Sequence, residues 1–361
     1  MPLHRTLRTA AAVTAAASLL VLTACAADEA EADRGDAISA ERCALNEEAG
    51  TISFLTGYQY QASASILEVL AADELGYFDD LCLDVEIQAG TGDTGTNAQL
   101  VAAGTVQFTS VSQQDLLVSY DNGLELRGIS SYSNAGLEVL MTPTAISDLT
   151  ELDGTILGQK GALPTTVEAM LDEAGVDVES IQQVTVGYDP SVLPRGQVDS
   201  LTGFVSNEPN LLEAMGEEVA VWRPYEYEVP SSLGAMAVNP EFADEHPTVV
   251  EDFLRAAFHA YDYCLDQAEE CVGFAAELSG EGYDPEHNQR IWSTETEVIA
   301  ETAADRPLGT VDLENVAAIN AMLAEYGLLE EPLADDEASG LFDPAVVEAI
   351  TADGELVWPA P

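Results

Sequence analysis

The sequence predicts an α/β protein of two lobes, with a helical C-terminal region. Strand-like and helical segments alternate from residue 51 to 111 and again from 155 to 222. The length of 361 residues suits two lobes of roughly 100–200 residues each. Apolar residues make up 47 % of the chain, enough to bury a core and unlike the composition of a disordered one.

Thr51–Leu55 alternates apolar and polar side chains, as a short strand does. Residues 63–75 place Ile66, Leu67, Leu70, Ala71 and Leu75 on one helical face, and Gly76 ends the run. Leu83–Ile87 returns as a strand. After the Gly/Thr loop 90–96 comes a short helix through Ala103, then the strand 106–111. Such a βαβαβ run predicts parallel pairing with helices on the faces. The same grammar recurs with strands at 155–158, 184–187 and 219–222 and helices at 165–174 and 210–215. Beyond residue 240 the chain turns helical, at 248–264, 285–301 and 312–326. In such sheets a ligand sits outside the C-terminal strand ends, where loops and helix N-termini converge.

Charge narrows the function classes. There are 65 acidic residues against 11 Lys plus Arg, for a net charge of −54, and the only lysine is Lys160. A nucleic-acid partner is excluded, because such a surface repels the phosphate backbone. The acids are spread along the chain, which suits a high-salt habitat where counterions relieve self-repulsion.

The N-terminus reads as an address. His4, Arg5 and Arg8 precede an apolar run from Ala10 to Leu22, followed by Leu22-Thr23-Ala24-Cys25. This is the pattern of a secretory signal, too short for the ~20 residues of a spanning helix. Leu-Thr-Ala-Cys resembles the bacterial lipobox, so Cys25 is the expected lipidation site. Residues 1–24 are then a signal peptide, and 25–48 a flexible acidic tether. Removing 1–24 leaves nine basic residues against 65 acidic ones.

Four further cysteines, an even number outside the cytoplasm, point to disulfides. Of the three possible pairings, Cys43–Cys82 with Cys264–Cys271 is favoured. Cys82 begins a strand-like run beside the strand that Cys43 precedes, and the second pair closes a short loop at a helix end. No metal site is expected: there is no Cys-x-x-Cys, and His246, His259 and His287 lack ligand spacing.

Several segments, in order, resemble the solute-binding proteins of ABC importers in the group for thiamine-pyrimidine precursors, nitrate, sulfonates and taurine. They are SILEVLAADELGYFDDLCLDVEI (65–87), LVAAGTVQFTSVS (100–112), DLTELDGTILG (148–158), RGQVDSLTGFVSNEPNLLEAMGEEV (195–219) and HPTVVEDFLRAAFHAY (246–261). The resemblance covers roughly residues 50–265, and Gln107 stands where the group usually has Asp. It implies a type II periplasmic-binding fold: two lobes of mixed sheets flanked by helices, with the ligand cleft between them. Lobe 1 is then 49–133 with 236–361, and lobe 2 is 134–235, with crossovers near 132–137 and 230–235. It also implies an extracytoplasmic monomer, anchored through Cys25, that carries a small solute to an ABC permease and its ATPase.

The candidate ligand residues lie on the expected loops. Tyr58, Gln59 and Tyr60 follow the first strand, at the position the resemblance makes ligand-facing. Tyr188 and Tyr225 follow later strands, and Tyr132 stands at the first crossover. Tyr rings offer flat stacking faces and hydroxyls. Asn207 and Glu208 provide mixed hydrogen bonding and an acceptor for ring amino groups, alongside the plain alternative that Asn207 caps a helix with Pro209 as its first residue. Thr94, Gly95 and Thr96, and Thr165, open helices whose free N–H groups suit a carbonyl or phosphate. Ser112 and Gln113 end the third strand. Lys160 is read as solvated.

With so few basic residues, a planar nitrogen heterocycle is preferred, such as a thiamine pyrimidine precursor or a riboflavin-like ring. The alternative is a nitrate, sulfonate or taurine type of anion held by helix N-termini. A non-transport sensor on the same scaffold is a further reading. An enzyme is disfavoured, as the chain lacks the cysteine cluster of the related pyrimidine synthase, a Gly-x-Ser-x-Gly elbow and a His-Glu-x-x-His pair. No cofactor is expected.

Overall fold

The computed structural model describes residues 38–361; the expected signal peptide, Cys25 and the stalk through residue 37 lie outside the described residues. The first element among the described residues is helix α1 (Ala40–Glu47), capped by the Ser39 hydroxyl. This corrects the expectation of a flexible tether as far as residue 48. Arg42 reaches both oxygens of the buried Asp252 at 2.7 and 2.9 Å and Glu251 at 2.6 Å, and Asn46 donates to Asp252 at 2.8 Å. Cys43 is disulfide-bonded to Cys82, with 5.3 Å between their Cα atoms.

The first sheet begins with β1 (Thr51–Leu55), the short β2 (Tyr58–Gln59), helices α2 (Leu67–Glu74) and α3 (Tyr77–Asp80), β3 (Asp84–Gln88) and the short β4 (Gly90–Thr91). Helix α4 (Thr94–Ala102), β5 (Phe108–Val111), α5 (Gln113–Asp121) and β6 (Arg127–Ser133) follow. Residues 134–137 carry the chain into a second sheet. It contains β7 (Glu138–Pro143), β8 (Ile156–Gln159), α6 (Thr165–Glu173), β9 (Gln182–Thr185), β10 (Ser200–Phe204), α7 (Glu208–Ala214) and β11 (Val219–Trp222). Residues 223–232 lead back to β12 (Leu233–Val238).

The first sheet runs β3-β1-β5-β12-β6 and the second β11-β7-β10-β8-β9. In the first, β1 is parallel to β3 and β5, as the alternation predicts, while β12 is antiparallel to β5 and β6. In the second, β8 is parallel to β9 and β10, and β7 is antiparallel to β10 and β11. Both sheets are therefore mixed: the strand beside each passage between sheets reverses direction.

The C-terminal region is helical: α8 (Pro240–Glu245), α9 (Pro247–Asp266), α10 (Ala268–Ser279), α11 (Pro285–Ala303), α12 (Leu313–Glu325), α13 (Asp335–Gly340) and α14 (Ala345–Ile350). Cys264 and Cys271 join the end of α9 to α10, with Cα atoms 5.8 Å apart. Among the described residues no helix is long and apolar enough to cross a membrane.

Two hydrophobic clusters hold these layers, and each draws side chains from both sheets. In one, Phe108 stacks on Phe253 at 4.2 Å between ring centres, and Phe78 stacks on the same ring at 5.2 Å. Helix α2 is buried from Leu67 to Ala72, Glu68 included, so it is a core helix rather than a surface one with a single apolar stripe. It starts later than the expected residue 63. The amides of Ala64 and Ser65 are taken by the carboxylates of Glu295 and Glu68, and Ser65 has a φ of +71°, so residues 63–66 form a turn.

Candidate functional site

The loops beyond the first-sheet strands form one wall. After β1 the chain passes Ser110 so closely that a Cβ on Gly57 would lie 3.3 Å from the Ser110 carbonyl oxygen. Tyr58 is exposed on β2, whose partner β4 includes Gly90. There a Cβ would overlap the Thr56 carbonyl oxygen, so only glycine fits. Gln59 has a φ of +48°, and its carbonyl accepts the Thr56 hydroxyl. Tyr60 packs against the core. Thr94, Gly95 and Thr96 open α4 as expected, but Asp93 caps it by accepting the Thr96 amide at 3.0 Å and hydroxyl at 2.8 Å.

Ser112 and Asp115 form a reciprocal cap on α5, and the other Asp115 oxygen accepts the Thr94 hydroxyl at 2.8 Å. Gln113 is fully buried: its amide donates to Ser232 at 3.0 Å, and its side-chain oxygen accepts from Asn315 at 3.1 Å.

The second-sheet wall holds the largest correction. Lys160, expected in solvent, follows β8 with 19 % of its side chain exposed, and it pairs with Glu208, which is 1 % exposed. Glu208 is fixed from three sides. Its Oε1 takes Lys160 and the Asn207 Nδ2 at 3.1 Å, and its Oε2 accepts the Phe204 amide at 2.8 Å. A Cβ on Gly203 would stand 2.5 Å from Glu208 Oε2, so glycine makes room for the carboxylate. The ring of Tyr188, 84 % exposed, lies 5.7 Å from the Lys160 Nζ, in cation–π range. Burial pushes Lys160 down to about 8, and the carboxylate beside it opposes that shift.

Asn207 stands at the N-cap of α7 but makes no capping bond, and Pro209 follows Glu208, the first helical residue. The amide of Asn207 instead connects Glu208 to His287, whose Nε2 is 2.8 Å from Asn207 Oδ1. Thr165 opens α6 as expected, with no side-chain cap at Pro164. The neighbouring Thr166 hydroxyl donates to Glu138, at the start of β7. Burial raises Glu138 above the usual carboxylate range; Thr166 opposes the rise and the charge of Asp115 on the other wall adds to it. Asp115 and Glu138 thus bring carboxyl groups from both walls.

Two expected tyrosines are taken up by contacts within the protein. Tyr132 is 1 % exposed beneath the wall, and its hydroxyl donates to Glu68. Tyr225 is half-buried and accepts from Arg223 at 2.8 Å. The buried acids Glu68 and Glu295 were not singled out from the sequence, where each reads as an ordinary helix residue. Burial raises both to about 7. Glu68 accepts the Ser65 amide at 2.7 Å, while its Oε2 has no partner among the described residues.

Every basic side chain among the described residues, Lys160 and seven arginines, is within 4.0 Å of a carboxylate. An anionic ligand would have to compete with those acids for any of them.

The NMT1/THI5 like family matches residues 63–271, more than half of the chain. Comparison with curated protein sequences finds no match. Among solved structures, the chain is similar to the periplasmic sulfonate-binding protein SsuA of Methylobacillus flagellatus. The identity is 13 %, over 82 % of this chain and 92 % of that one, with a TM-score of 0.62. The aliphatic sulphonate binding protein SsuA of Escherichia coli matches at 14 % identity over 86 % and 96 %, with a TM-score of 0.60. The alkanesulfonate-binding SsuA of Xanthomonas axonopodis pv. citri, bound to MOPS, matches at 12 % over 81 % and 98 %, with a TM-score of 0.58. At these identities the likeness is one of fold, that of the two-lobed periplasmic-binding proteins. The mixed sheets, the two passages between them and the matched family together place this chain in the NMT1/THI5-like family.

Proposed function

We propose that the chain is the extracytoplasmic solute-binding receptor of an ABC importer, lipid-anchored at Cys25, which takes a small neutral or cationic nitrogen heterocycle between its lobes and passes it unaltered to a permease. The observation that carries the choice of ligand is the pairing of every described basic side chain with a carboxylate, while Asp115 and Glu138 place carboxyl groups, which accept hydrogen bonds, on both walls. Such a site favours groups that donate hydrogen bonds. Tyr188 gives a flat ring a stacking face beside Lys160 and Glu208. A thiamine pyrimidine precursor or a riboflavin-like ring has that chemistry.

A second reading is a sulfonate- or taurine-type anion. It is favoured by the names of the structural relatives and by α6, whose first turn has no side-chain cap and begins five residues after Lys160. A melting-shift screen of the mature protein with hydroxymethylpyrimidine, thiamine, riboflavin, taurine and nitrate separates the two, because a tight ligand raises the midpoint with the logarithm of its concentration over Kd. A shift with a heterocycle supports the first reading; a shift with taurine or nitrate alone replaces it with the second.

A further inference from the structure

Helix α11 meets both halves of the molecule at once. Toward the first sheet, Glu295 Oε2 accepts the Ser63 hydroxyl and the Ala64 amide, each at 2.8 Å. Toward the second, Glu295 Oε1 accepts the Ser206 hydroxyl at 2.8 Å. Close on either side of Glu208 the same helix is joined again: Asn210, two residues after it, donates to Thr294 at 3.0 Å, and Asn207, one residue before it, meets His287 at 2.8 Å. Glu295 is 2 % exposed and Ser206 3 %, so water does not compete for these bonds.

We propose that Glu295 is a positioning residue that ties the two lobes together through Ser206, setting both their separation and the placement of Asn207 and Glu208 at the candidate ligand site. The physical reason is the division of one carboxylate: each oxygen holds a different lobe. If α11 stays with the first lobe as the lobes part, Ser206 is lost; if it travels with the second, Ser63 and Ala64 are lost. Either movement strips one buried oxygen of its partner, which is costly unless water replaces it. Parting the lobes therefore means breaking one of these buried bonds outright rather than stretching all of them by degrees. Residue 206 lies two positions before Glu208, so the tie also fixes the chain that presents Glu208 to Lys160.

The tie holds whatever the solute is, so its test needs none, and its failure is separate from failure of the receptor reading. Small-angle scattering of the ligand-free mature protein is compared for the wild type, Ser206→Ala, Glu295→Gln and the double variant, with melting curves alongside. Ser206→Ala is expected to shift to a larger radius of gyration, Glu295→Gln to shift less because its amide still reaches the Ser206 hydroxyl, and the double to shift no further than Ser206→Ala, whose tie is already broken. A role confined to stability would lower the midpoint and leave the scattering curve in place; that result overturns the proposal. Additive shifts in the double variant would overturn it too. Should Glu295→Gln fail to fold, Ser206→Ala removes only a hydroxyl and carries the comparison alone.

Discussion

Lys160 is ion-paired with Glu208 across 48 residues of sequence, with the ring of Tyr188 over its ammonium. The two partners differ in burial: 19 % of the lysine side chain is exposed and 1 % of the glutamate. Removing either leaves the other behind, with unequal consequences. Lys160→Met strands a buried carboxylate and is expected to cost about 3–5 kcal/mol. Glu208→Gln is expected to cost less, since the lysine reaches water and burial already brings it to about 8. Urea denaturation at pH 7 measures both, and Lys160→Met/Glu208→Gln should recover most of the larger loss. Equal and additive losses would show that the pair is not the source.

Glu68 and Glu295, both raised to about 7 from 4.5, make stability depend on pH in a definite direction. The folded state holds these protons more tightly than the unfolded one. Their contribution is thus fully present below 4.5 and is lost as pH rises through 7. The loss is at most roughly 3 kcal/mol per group. Glu68→Gln keeps an oxygen for Ser65 and Tyr132 and removes the charge. It should be more stable than the wild type at pH 8 and have a flatter profile between pH 5 and pH 8. A wild-type-like profile in thermal melts would contradict this account.

The two disulfides close loops of different length, with separations of 39 and 7 residues. On the chain-entropy view, the first contributes about 4 kcal/mol and the second about 2.5. Replacing Cys43 and Cys82 by Ser is therefore expected to lower the melting midpoint more than replacing Cys264 and Cys271. The longer link also holds α1, so limited proteolysis should cut first near residues 40–47 in the Cys43/Cys82 variant. The reverse order of midpoints would count against loop entropy as the dominant effect.

With a net charge of −54, self-repulsion opposes folding at low ionic strength. The melting midpoint is expected to rise between about 10 mM and 1 M salt, over which the screening length falls from about 30 to 3 Å. Because each described arginine is already paired, salt also weakens some attractive contacts, but acids outnumber bases so heavily that repulsion dominates the sum. Equal stability at both salts would remove the case for adaptation to a saline habitat.

Much of the architecture was legible in local pattern. The strand 219–222 coincides with β11, and the helices read at 165–174, 285–301 and 312–326 lie within two residues of α6, α11 and α12 at each end. The strands β6 and β12 are not legible locally, because SSYS and SSLGA carry the serines and glycine of a loop; burial within the sheet overrides that composition. Helix α5 is hard to read for a related reason, since a short segment with little apolar periodicity signals little until its partner α12 is in place. Of the candidate ligand residues, Tyr188, Asn207 and Glu208 do come together, and Lys160, read as solvated, belongs with them.

The amino-acid sequence by itself determined the acid excess, the alternation of strands and helices, and a cysteine set whose favoured pairing the structure forms. Each of these is a property of composition or of neighbours along the chain. Tertiary structure alone decided that Lys160 is held by Glu208, that Asn207 serves His287 rather than a helix cap, and that Glu295 is shared with Ser206 across 89 residues. A buried charge is stabilised by whatever surrounds it in space, and hydrophobic periodicity specifies which face turns inward without naming the group it will meet there.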